Sequence, residues 1–195
     1  YSLSLLCCLL VCGCQNAEKA KDEFSIQGQV LGLESKVLHL ERIQPTKSEP
    51  LQDIPLDAEG KFSLKQKGEP NTLFQLRADD GRRMLFLPEF DALEIEADAD
   101  ELDAYQVRGG AKTKSLRDFN LKQYRLYIDY ANAEAQLDGL DRQKDTLAWH
   151  ELEGVTDRAM VAYSDFLRSF CDTVSLPILR AHASLSIVST GNYYY

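Results

Sequence analysis

YQVRGGAKTKSLRDFNLKQYRLYIDYANAEAQL, residues 105–137, contains a change of period. At its start Tyr105 and Val107 alternate with polar neighbours, the pattern of a half-buried strand. Beyond Gly109-Gly110 the apolar and large positions are Leu116, Phe119, Gln123, Leu126, Tyr130, Ala133 and Leu137. Steps of three and four place all seven on one stripe of a helix. A chain that passes once from strand to helix reads as α+β, with an N-terminal antiparallel β-sandwich or open barrel and a helical segment after it.

The residues upstream support that reading. Phe24-Ser-Ile26-Gln-Gly28-Gln-Val30 alternates, as do Leu38/Leu40, Lys61-Phe62-Ser63-Leu64-Lys65 and Leu93-Glu94-Ile95-Glu96-Ala97. Leu73–Leu76 and Met84–Leu87 are further strand candidates. Turn signals separate them: Glu59-Gly60, Gly68-Glu69-Pro70-Asn71, Asp79-Asp80-Gly81 and Pro88. Asp80-Gly81 predicts a hairpin between Leu76 and Met84. The β-domain is expected over residues 24–108 and the helical region over 109–195.

Downstream, Asp138-Gly139 ends the first helix. A second is expected from about Leu140 to Phe170, with Val155, Ala159, Ala162, Phe166 and Phe170 on one face and Gly154 as a possible break. Ser175 before Leu176-Pro177 marks a third, running to about Ser189, with Leu179, Ala183 and Ile187 inward. Gly191-Asn192 ends it. No internal repeat or low-complexity segment is evident.

Composition narrows the functions. Of 195 residues, 31 are Asp or Glu and 22 Lys or Arg, a net charge of -9. That balance argues against nucleic acid as a partner, because phosphates demand clustered Lys and Arg. No apolar run reaches the roughly 18–20 residues a spanning helix needs.

Four of the five cysteines fall within LLCCLLVCGCQN, residues 5–16. Leu3–Gly13 is almost wholly apolar, and no charge appears before Glu18. A zinc site needs thiolates presented from turns with polar support, and a disulfide framework spreads its cysteines through the chain. The pattern is instead that of a secretion signal, an apolar stretch too short to span a bilayer. Leu10-Val11-Cys12-Gly13-Cys14 resembles a bacterial lipobox, with an aliphatic residue at minus three and a small one at minus one. That resemblance makes Cys14 the lipidated residue and mature N-terminus, and Cys7, Cys8 and Cys12 part of the discarded signal, residues 1–14. Acyl chains contribute about 0.8 kcal/mol of membrane affinity per buried methylene. Residues 15–23 are polar and suit a tether. Residue 1 is Tyr rather than Met, and the last three are Tyr193-Tyr194-Tyr195, so the chain reads as a piece of a longer product.

The rest offers little chemistry. Glu94, Glu96, Asp98, Asp100, Glu101 and Asp103 are dense, but a calcium loop counted from Asp98 meets Asp103 where glycine belongs. A solvated strand face and turn accounts for them; a carboxylate pair for glycoside hydrolysis is a possibility in principle. His39, His150 and His182 lie far apart and in no metal-binding spacing, and each reads as a surface or boundary residue. Trp149 reads as a helix packing residue. Gly109-Gly110 lacks the surroundings of a phosphate loop, and no G-x-S-x-G occurs. Cys171 follows the Phe166/Phe170 face and reads as a buried, inert thiol; one thiol cannot perform dithiol exchange. No catalytic residue, metal ligand or cofactor-binding residue is assigned.

Taken in order, the lipobox, Phe24-x-Ile26-x-Gly28-x-Val30, Asp57-x-x-Gly60-x-Phe62-x-Leu64, Pro70-x-x-x-Phe74-x-Leu76, and Val107-x-Gly109 before a long helix form a pattern. It resembles the β-domain and helical segment that precede the thioredoxin-like domain in secreted lipoproteins of the Bacteroidetes group. In those proteins a ResA/TlpA-type thiol:disulfide oxidoreductase domain with C-x-x-C follows. The resemblance runs from about Phe24 to the last helix. It implies the non-catalytic N-terminal part of a membrane-anchored periplasmic oxidoreductase, which positions the redox domain or binds its client. The implied location is the cell envelope, lipid-anchored and facing the periplasm or cell surface. The implied partners are the membrane, through the anchor, and a C-terminal thioredoxin-like domain or a client protein. The alternatives are a stand-alone anchored lipoprotein that binds a peptide or glycan, and an envelope scaffold without a ligand.

Overall fold

A computed structural model describes residues 23–191 apart from 45, 70, 90 and 91. The signal segment, Cys14 with its lipobox, and residues 15–22 of the tether lie outside the described residues. Glu23, read as the tether's last residue, instead opens the first strand and pairs with Lys67.

The chain is α+β, with strands first and helices after. The strands are β1 (Glu23–Leu31), β2 (Val37–Ile43), β3 (Ser48–Pro55), β4 (Lys61–Lys67), β5 (Leu73–Arg77), β6 (Arg83–Phe86), β7 (Leu93–Asp98) and β8 (Gln106–Arg108). They form two four-stranded sheets, β4-β1-β7-β8 and β3-β2-β5-β6. All pairs are antiparallel except β1 with β7, which run parallel.

Alternation dictates the core. Phe24, Ile26 and Val30 from β1, Phe62 and Leu64 from β4, and Leu93 and Ile95 from β7 point inward from one sheet. Leu38, Leu40, Ile54, Phe74, Leu76, Met84 and Phe86 meet them from the other. Phe24, Phe74 and Phe86 pack ring on ring, with centroids 5.2–5.7 Å apart. Each fully buried ring is worth roughly 1.5–3 kcal/mol over exposure.

Gly60 shows what the Asp57-x-x-Gly60 spacing does. Its φ is +78°, and an added Cβ would lie 2.2 Å from the carbonyl oxygen of Val30. The turn is closed by the Gly60 amide on Asp57 O and the Lys61 amide on the Asp57 carboxylate, while Gly60 O accepts from the Val30 amide. The turn thus joins β3 of one sheet to β4 of the other and is fastened to β1.

β3 is the strand the sequence reading missed. Pro50 and Pro55 suppress its signal, and the strand survives because it lies at a sheet edge, where missing N–H groups matter least. Its register against β2 slips at Leu51, between the pairs Leu40/Gln52 and Glu41/Pro50.

Three helices follow: α1 (Ala111–Asp138), α2 (Thr146–Thr173) and α3 (Pro177–Gly191). None among the described residues is long and apolar enough to cross a membrane. The predicted α1 stripe holds, and fully buried Thr113 extends it toward the N-terminus. α2 starts six residues later than Leu140. Asp141 takes the amides of Gln143 and Lys144 on its carboxylate, which makes a reversing turn of the segment before Thr146. Gly154 does not interrupt the helix. The inward face is also corrected: Thr156, Tyr163 and Leu167 are buried, whereas Val155 and Ala162 face solvent. α3 matches expectation, with Pro177 at its first position and Leu179 and Ala183 buried.

The helices and the sandwich share a core. Leu73 and Leu87 pack with Leu116 of α1 and Leu179 of α3, flanked by Ile43, Leu85 and Phe170. β5 is therefore covered on both faces, with Phe74 and Leu76 toward the sandwich and Leu73 toward the helices. Further along, Phe119, Tyr163, Leu167 and Ala183 form a separate helical core. The joint is also polar. The hydroxyl of Thr113 donates to Leu87 O at 2.9 Å and accepts the Leu87 amide at 3.2 Å. Glu89 Oε1 accepts the amides of Lys112 and Thr113 at the start of α1.

Candidate functional site

Among the described residues, a dense arrangement of interacting ionisable groups lies on the outer face of β3-β2-β5 and the turn beyond β5. On β2 the side chains opposite to Leu38 and Leu40 are His39 and Glu41. Register places His39 beside Asp53 of β3 and Arg77 of β5, and Glu41 beside Gln75.

Glu41 is buried, at 6% exposure, and accepts from Arg77 Nε at 2.8 Å and Gln75 Nε2 at 2.6 Å. Burial works to raise its carboxyl, but the bonds from Arg77 and Gln75 outweigh it and hold Glu41 below its ordinary range. His39 sits 2.7 Å from Asp53 Oδ1 through Nδ1 and 2.7 Å from Asp79 Oδ1 through Nε2. Asp79, and then Asp53, raise its affinity for a proton; reciprocally, His39 lowers Asp79.

Asp79 begins the β5–β6 turn, closed by the Ala78 amide on Arg82 O and the Gly81 amide on Ala78 O. Arg82 bonds Asp80 through Nε and Nη2 and reaches Asp100 at 3.0 Å. With Gly32–Ser35 these residues line an open cleft of about 440 Å³. It offers carboxylates, one hydroxyl and one guanidinium, a set suited to hydrogen-bonding a polar ligand and lacking a nucleophile–base pair.

Other singled-out residues lie apart. His150 contacts Glu153 on the surface of α2 at 3.2 Å. His182 is packed between α3 and α1, with Nε2 donating to Asn120 Oδ1 at 2.9 Å; burial, then the charge of Arg83, lowers its proton affinity. Trp149 packs under the Arg142 guanidinium, 4.3 Å from its ring centre, and so pins the α1–α2 turn. Cys171, expected to be buried, is instead half-buried, because it lies at the rim of the α2–α3 contact near Ser184 Oγ and Arg180 O. Gly109 and Gly110, both at positive φ, turn β8 into α1. Of the acidic stretch, Glu94 and Glu96 face solvent beside Arg108, and Asp98 caps the 3-10 turn Ala99–Ala104 through the Asp100 amide. Among the described residues no group of three or more His, Cys, Asp or Glu side chains is placed to hold a metal ion.

Sequence reasoning singled out His39 but neither Asp53 nor Asp79 as its partners. No protein-family model, no curated protein and no solved structure matches the chain.

Proposed function

We propose that this chain is the non-catalytic N-terminal part of a membrane-anchored thiol:disulfide oxidoreductase of the bacterial cell envelope. In this reading Cys14 carries the lipid, residues 15–22 are the tether, and the sandwich with its helices positions a thioredoxin-like domain or engages its client. The observation that supports it is the double fastening of α1 to the sandwich, through Thr113 on Leu87 and Glu89 on the first helical amides. A spacer transmits position only if its parts do not hinge. At 1.5 Å per residue, the 28-residue helices α1 and α2 extend it by about 42 Å. Cys171 is the one cysteine among the described residues, so dithiol exchange must come from cysteines supplied elsewhere.

A second reading, a lipid-anchored protein that binds a peptide or glycan, draws on the polar cleft beside Arg82. An insulin-reduction assay with dithiothreitol tests the non-catalytic assignment. The chain and its Cys171→Ser variant should both leave the uncatalysed rate unchanged. Acceleration that depends on Cys171 would overturn the assignment.

A further inference from the structure

His39 bonds a carboxylate oxygen through each ring nitrogen, at 2.7 Å on both sides. Ionised carboxylates only accept, so both ring nitrogens must donate, and imidazolium alone provides two N–H groups. The two partners come from different elements: Asp53 from edge strand β3, and Asp79 from the β5–β6 turn. Among the described residues, His39 on β2 is the one side chain bonded to both.

We propose that protonated His39 is a latch, fastening edge strand β3 and the β5–β6 turn to β2 and releasing them as pH rises. β3 needs such a fastening. Two of its eight residues are prolines without an N–H, its ladder to β2 is broken at Leu51, and it has a sheet neighbour on one side only. The turn is held at its other end by Arg82 on Asp100. Loss of the Asp79 bond therefore frees one wall of the cleft and leaves the other in place.

The charged groups facing the ring are Asp53 from β3, Asp79 from the turn, Arg77 from β5 and Glu41 on β2. The two bonded carboxylates prevail over Arg77, whose charge is already committed to Glu41. His39 thus keeps its proton above the ordinary histidine value near 6.5. The sign follows: fastening is complete below that value and is lost as pH rises through the latched value. Between the two, the opening equilibrium grows about tenfold per pH unit.

Hydrogen exchange by NMR on the full chain, corrected for intrinsic rates, tests this from about pH 6 upward, starting below the ordinary histidine value. Protection of residues 51–54 and 78–82 should fall as pH rises above the ordinary histidine value, with a slope approaching tenfold per pH unit, and level off once the ring has lost its proton. Protection of β1 and β7 should not. In His39→Gln that pH dependence should vanish. Asp79→Asn, a change at an exposed side chain, should keep the fold and move the His39 ring titration to lower pH. An unmoved titration in Asp79→Asn, or pH-independent protection of β3 and the turn in the wild type, would overturn the proposal.

Discussion

Glu89 caps a helix to which it does not belong. Its Oε1 accepts the amides of Lys112 at 2.8 Å and Thr113 at 2.9 Å, while the nominal cap residue, Gly110, has no side chain to offer. The first amides of α1 are thereby satisfied from the β6–β7 connection, and a negative charge meets the positive end of the helix dipole. Glu89→Ala should lower stability by about 0.5–2 kcal/mol in urea unfolding, the range for loss of an N-terminal cap. Glu89→Gln keeps an acceptor oxygen and should lose less. Equal stability of the three proteins would remove this joint from the account.

Two glycines in turns should respond oppositely to alanine. Gly60→Ala meets both a positive φ and the Val30 carbonyl, so it should cost more than the roughly 1–2 kcal/mol of a left-handed alanine alone. Gly139 ends α1 in helical geometry, with φ -76° and only ordinary contacts for a Cβ. Gly139→Ala should be neutral or stabilising by up to about 1 kcal/mol, through the unfolded state. Thermal or urea denaturation distinguishes the pair.

His182 gives a stability signature of opposite sign to His39. Burial between α3 and α1 favours its neutral form, so its contribution is present above the ordinary histidine value and is lost as pH falls through its lowered one. His39 gains on the same acidification, so the comparison must be made by difference. Between about pH 7.5 and 5.5, wild type should lose more stability, relative to its neutral-pH value, than His182→Gln does. Parallel urea midpoints for the two proteins across that range would show that the ring at 182 is not titrating against the helical core.

Cys14→Ala should abolish incorporation of labelled fatty acid and release the protein from membranes. Label entering the variant would disprove lipidation at Cys14.

The architecture was legible where one face of an element decides burial. Phe62/Leu64 and Leu93/Ile95 alternate because a single sheet face is covered, and the 116–137 stripe is continuous because α1 lies along α2. Reading failed where two demands overlap. β3 was hidden because edge position lets a strand tolerate Pro50 and Pro55. The face of α2 was misplaced by one residue because Thr156 and Tyr163 are buried as polar groups, their hydroxyls bonded to Leu152 O and by Gln123. The His39 cluster joins residues 14 and 40 positions apart. Its Asp53 half follows from the register of β2 against β3, which was unrecognised, and its Asp79 half from the register of β2 against β5, which alternation alone does not give.

The most direct test of the central claim is the nucleotide sequence of the gene past the codon for Tyr195. The account predicts that within about 150 further residues, one domain's length, a strand is followed by W-C-x-x-C. A stop codon within a few codons of Tyr195 would contradict it and leave a stand-alone binding or scaffold lipoprotein.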